Sequence, residues 1–131
     1  MNTIYKFYLL PLLFVPIFCM SAELRAESVQ ARYLENSGKR TVLELSVADP
    51  APTSIIVKQR IPEGVAVQSA HPAYSKFSPG KREVKWLLKR PLSGVQRIVL
   101  NYSRSFSGKG ASAVIRCKNP SDGSLMTITV Q

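Results

Sequence analysis

The stretch Thr53-Ser54-Ile55-Ile56-Val57-Lys58-Gln59-Arg60-Ile61-Pro62-Glu63-Gly64-Val65 decides the fold. Ile55, Val57 and Ile61 share one parity and Ile56 and Lys58 the other, a period of two that fits a half-buried strand and no amphipathic helix. The β-branched residues suit a pleated surface. Pro62 removes a ladder donor and Gly64 supplies a positive φ, so the run ends in a turn.

The same grammar repeats on both sides. Strands are expected at 28–34, 40–47, 53–61, 65–69, 83–89, 95–103, 111–118 and 125–130. Between them lie breakers such as Asn36-Ser37-Gly38-Lys39, Asp49-Pro50-Ala51-Pro52, Ser78-Pro79-Gly80-Lys81, Ser107-Gly108-Lys109-Gly110 and Asn119-Pro120-Ser121-Asp122-Gly123. No stretch carries a sustained helical stripe. Seven or eight short strands with evenly spaced turns point to an all-β, antiparallel, immunoglobulin-like β-sandwich. Parity nominates the core: Leu43, Leu45, Val47; Ile55, Val57, Ile61; Val65, Val67; Val84, Trp86, Leu88; Ile98, Leu100, Tyr102; Ala113, Ile115, Cys117; Met126, Ile128, Val130. Trp86 should be its largest member.

Upstream of the strands, Lys6 precedes an unbroken apolar run from Phe7 to Met20 that contains Pro11 and Pro16. A helix needs about 20 apolar residues to span a bilayer. The shorter run, with a cation before it, has the layout of a signal peptide. Residues 1–26 are therefore expected to be the signal and 27–131 the sandwich domain, with cleavage after Ala26 or, alternatively, Ala22. The expected location is the periplasm or the extracellular surface, with no membrane span after cleavage. Cys19 leaves with the signal, and Cys117 is then the one remaining thiol, read as a small buried hydrophobe. Basicity stays with the domain. The signal takes Lys6 and Arg25 against Glu23, leaving 16 cations, 7 anions and a net charge of +9, against +10 for the whole chain.

Ile61-Pro62-Glu63-Gly64-Val65, then Ser69-Ala70-His71-Pro72, then Val84-Lys85-Trp86 and a Gly94-led strand ending near Tyr102 together resemble the conserved-repeat immunoglobulin-like domain of bacterial surface proteins. The resemblance covers about residues 41–105; Ile61 stands where that family has Leu. It implies a non-catalytic structural module and no particular ligand. The small exported format is also similar, without a diagnostic motif, to the secreted globular subunits of split type IV pilins, which implies a short pilin as partner.

Catalytic chemistry finds few parts. His71 is the sole imidazole and precedes Pro72 in a turn-like segment; a nucleophilic triad needs a base beside its Ser or Cys. With one His and two Cys, a His/Cys zinc site lacks ligands. The glycines around Lys109 lack the order of a phosphate loop and the helix that should follow it. No enzyme activity, cofactor or metal is expected.

The outward parity is richer. Ile56, Lys58, Lys85, Leu87, Lys89, Arg97, Val99, Val114 and Arg116 place one apolar residue beside cations on each of several strands. Ile56, Leu87, Val99 and Val114 are expected to form an apolar stripe with a basic rim, suited to a protein partner with acidic edges. His71, Tyr74, Lys76, Phe77, Lys81 and Arg82 mark a candidate recognition loop. The functional expectation is an interaction subunit at the cell envelope, within a pilus or surface assembly. The alternative is a binder of anionic envelope polymers or extracellular nucleic acid; nucleic acid is disfavoured because Trp86 and Tyr102 fall on the core parity and cannot stack on bases.

Overall fold

The computed structural model describes residues 28–131. The expected signal peptide and both cleavage sites lie outside the described residues. The described residues are all-β: β1 (Val29–Val47), β2 (Ser54–Arg60), β3 (Val67–His71), β4 (Lys76–Ser78), β5 (Glu83–Lys89), β6 (Gly94–Phe106), β7 (Ser112–Lys118) and β8 (Leu125–Val130). Two antiparallel sheets, ordered β1-β6-β3 and β4-β5-β2-β7-β8, pack face to face as a sandwich.

β1 covers both of the first two expected strands and the turn between them. Its contacts show that it doubles back: Ala48 N donates to Ser28 O at 2.8 Å, and Arg32 meets Glu44 at 3.0 Å. Twelve residues of straight strand would hold those two side chains about 40 Å apart. The reversal falls at Asn36–Lys39, where Gly38 takes φ +66° at no steric cost. The arm from Val29 therefore lies beside the Arg40–Val47 half, which pairs in turn with β6.

Other boundaries shift for identifiable reasons. β3 starts two residues later than expected, since Gly64 at φ +78° and its carbonyl, held by Arg104 Nε at 2.6 Å, keep the preceding turn off the sheet. β6 runs three residues further, to Phe106, whose ring packs edge-on against Tyr102 at 5.8 Å.

Between the sheets, Leu43, Leu45, Val47, Ile55, Val57, Ile61, Val84, Trp86, Ile98, Leu100, Tyr102, Ala113, Ile115 and Cys117 are buried as parity requires. Val65, Val67, Leu88, Met126, Ile128 and Val130 are only half-buried and pack on the margin. Trp86 Nε1 donates to Pro72 O at 2.9 Å, so the largest core side chain also fastens the segment crossing from one sheet to the other. Two polar side chains, Gln59 and Thr41, enter the core unforeseen and meet the hydroxyl of Tyr102. Gln59 Nε2 donates to Thr41 Oγ1 at 2.9 Å, and Thr41 Oγ1 shares a 2.9 Å bond with the Tyr102 hydroxyl. This chain of bonds joins β2 to β1 and β6, and it penalises any sliding of one sheet on the other.

Candidate interaction surface

The pleat sends alternate residues of the five-stranded sheet outward, and register aligns them in rows. Lys76 pairs with Lys85, Lys85 with Lys58, Lys58 with Val114 and Val114 with Thr129. The adjacent row runs Leu87, Ile56, Arg116, Thr127. Arg60, Lys89 and Lys118 stand further along the same face. This face thus gathers seven cations, and Glu83, opposite Arg60, is the single acidic side chain projecting from its strands.

The opposite sheet handles charge differently. Glu44, buried with its carboxylate between two guanidiniums, lies 3.0 Å from Arg32 and 3.5 Å from Arg97, and Arg40 stands 3.7 Å from Glu35. These are the ion pairs among the described residues, and none involves a cation of the five-stranded sheet. Three lysines on neighbouring strands, with no carboxylate at hand, oppose one another directly, an arrangement that destabilises a sheet.

Of the residues read as a docking stripe, the structure brings together Ile56, Lys58, Lys85, Leu87, Lys89, Val114 and Arg116. It does not bring Arg97 and Val99 to them. Both lie on β6 in the other sheet, Arg97 engaged with Glu44 and Val99 paired with Val42 and His71. Parity assigns a residue to the outside but cannot say which sheet's outside, and that is where the four-residue apolar stripe breaks. Ile56, Leu87 and Val114 remain as a compact apolar centre; Leu87 is 39% exposed.

The expected recognition loop is also redistributed. His71 ends β3, Lys76 and Phe77 form β4, and Lys81 closes a short 3-10 turn (Pro79–Lys81) capped by Arg82 at φ +50°. Phe77 turns inward to the core margin, with Tyr74 6.1 Å away, centroid to centroid. Lys76 joins the lysine row. Arg82 instead faces a cleft of about 700 Å³ at one end of the sandwich, shared with Asn36, Arg60, Glu63, Lys109 and Gly110. The floor of that cleft is pinned: Asn36 Nδ2 donates to Ala111 O at 2.9 Å, and Ala111 N to Asn36 Oδ1 at 2.8 Å. Gly110 permits this approach, since a Cβ there would lie 2.5 Å from Asn36 Oδ1.

Reactive groups are few. Burial pushes the Cys117 thiol above its ordinary pKa, which makes it a poor nucleophile at neutral pH. Burial raises Tyr33 and Tyr102 as well, Tyr102 adding to the shift of Tyr33. Among the described residues no three of His, Cys, Asp and Glu come together to hold a metal ion. Comparison with known proteins brings no match: no family model, no curated protein and no solved structure is similar to the chain.

Proposed function

We propose that this protein is an exported, non-catalytic interaction subunit of the bacterial cell envelope, and that it docks through the outer face of its five-stranded sheet. The observation that carries the reading is the asymmetry of charge. Three of the five Lys and Arg of one sheet, Arg32, Arg40 and Arg97, are paired with Glu35 or Glu44, whereas none of the seven on the other is in such a pair, and they surround an apolar centre of Ile56, Leu87 and Val114. A partner with an acidic rim would gain steering from the cations and affinity from the apolar centre. A short pilin or another surface-assembly subunit fits that role.

The strand arrangement supports an immunoglobulin-like module. With β1 counted as two strands, the first sheet runs in the order A-B-E-D of constant-type domains, while β2, β7 and β8 take C, F and G. β4 and β5 are an insertion between D and E that extends the sheet beyond C. Trp86 sits on that inserted β5, not on the C strand where the immunoglobulin tryptophan lies.

A second reading, a binder of linear anionic envelope polymer, is favoured by one feature, the unbroken Lys76-Lys85-Lys58 row. Its lysines recur at the strand spacing of about 4.8 Å. Capture from envelope fractions at low and high salt separates the two. A protein held through the apolar centre stays bound in high salt, whereas a polyanion held by cations alone is released. Capture of nothing at either salt defeats both.

A further inference from the structure

The backbone edges of this sandwich are unequally guarded. β4 is three residues long and carries Lys76. β3 has a bulge between Val67 and Ser69 and runs into Pro72. The outer arm of β1 carries Arg32 and Glu35, both engaged in ion pairs. Short length, bulges, proline and charge are the usual means of keeping an edge from pairing with another chain. β8 has none of them. Leu125-Met126-Thr127-Ile128-Thr129-Val130 contains no charge, proline or glycine, and it pairs with β7 without a register break over all six residues. Among the described residues no strand pairs with its other side. The start of β1 approaches it, with the preceding residue's Ser28 Oγ 3.3 Å from Met126 Sδ, but among the described residues no backbone ladder joins the two strands.

The sequence of β8 says what fits there. In antiparallel pairing of two copies about a two-fold axis at Ile128, Ile128 faces itself, Met126 faces Val130 and Thr127 faces Thr129. Every inward apolar side chain then meets an apolar one, and every outward hydroxyl a hydroxyl. The strict alternation of β8 gives this match on both faces, with Leu125 opposite Gln131 as the one mixed pair at the end, and β-branched or hydroxyl pairs directly opposite one another are favourable. Net charge does not forbid the approach. The nearest outward cations, Arg116 and Lys118, lie on β7, so those of the two copies would be separated by three strand spacings, about 14 Å, against a Debye length of about 8 Å at physiological salt.

We infer that a second copy of this chain adds to β8, joining the two five-stranded sheets into one continuous sheet with their lysine rows on a common surface. This pairing does not depend on the docking role of the basic face, and it has the opposite response to salt. Screening weakens a polyanion's hold but strengthens the association of two basic copies.

Sedimentation equilibrium of the purified protein, from micromolar to millimolar concentration at low and high salt, tests it without any partner. A monomer–dimer equilibrium that shifts toward dimer as salt rises is expected. Thr127 and Thr129 are exposed, so the pair Thr127→Lys with Thr129→Lys, and the pair Thr127→Glu with Thr129→Glu, should each fold with the parent's circular dichroism and sediment as monomers. Mixing the two preparations should restore a dimer, because each Lys then faces a Glu. Leu92→Lys, at a position 81% exposed and away from this edge, should dimerise like the parent. A parent that stays monomeric at every concentration and salt, a lysine pair that still dimerises, or a mixture that does not associate overturns the inference.

Discussion

Replacing Lys85 by Gln should make the protein more stable, and by an amount that depends on salt. Lys85 is flanked by Lys58 and Lys76 on its two neighbouring strands. With ammonium groups about 6 Å apart in a dielectric near 80, each repulsion is about 0.7 kcal/mol before screening. Debye screening leaves about 0.6 kcal/mol per pair at 0.01 M salt, about 0.3 at 0.15 M and about 0.1 at 1 M. Two pairs vanish with one substitution, so Lys85→Gln should gain about 1 kcal/mol at low salt, about 0.6 at 0.15 M and next to nothing at 1 M. Gln is uncharged, polar and only one bond shorter than Lys, so the change is chiefly one of charge. Urea denaturation of parent and variant at the three salts reads the difference directly, with equal m-values expected. A variant less stable than the parent, or a difference that does not shrink with salt, would refute the idea that this row is an electrostatic burden carried by the fold.

Trp86→Ala should cost about 3–5 kcal/mol in chemical denaturation, since it empties the largest buried site and frees the Pro72 carbonyl. Asn36→Ala and Gly110→Ala should each destabilise by about 1–3 kcal/mol, one by removing two hydrogen bonds and the other by forcing a Cβ onto Asn36. The double variant should cost clearly less than the sum, since without the carboxamide the new methyl has room; strict additivity in a double-mutant cycle would refute the contact. Stability should hold through neutral pH and decline as pH climbs past about 10. Tyr33 and Tyr102 keep their protons more tightly folded than unfolded, so the raised folded pKa costs stability only once the unfolded phenols ionise. Tyr33→Phe should flatten that decline in pH-dependent melting.

Much of the architecture was legible because a strand repeats every two residues and its ends are marked by Gly, Pro and Asn. The 83–89 and 125–130 strands coincide with β5 and β8, and the turn at Asn36–Lys39 is where β1 reverses. β4 was not legible: Lys76-Phe77-Ser78 is too short to show a period and becomes a strand only because β5 offers it an edge. Gln59 was not legible as a core residue either, for its amide enters only by way of Thr41 and Tyr102, both distant in sequence. The surface follows the same division. Parity correctly turned Lys58, Lys85, Leu87 and Arg116 outward, but sheet membership is a property of long-range pairing, so Arg97 and Val99 were grouped with residues on the far side of the sandwich. The lysine row carried a signal that could have been found: three cations on one parity in segments later seen to be adjacent. The pairing of Glu44 with two arginines carried none short of the structure.

The central claim, that the outer face of the five-stranded sheet is the docking surface, is tested most directly by comparing two charge-removal variants in capture from envelope fractions. One carries Lys58→Gln, Lys85→Gln and Arg116→Gln on that face; the other carries Arg32→Gln, Arg97→Gln and Glu44→Gln on the opposite sheet, removing a buried carboxylate with its two partners. Both should melt as folded domains. Loss of the bound partner in the first with retention in the second is the predicted result, and retention in the first, or loss only in the second, would contradict it.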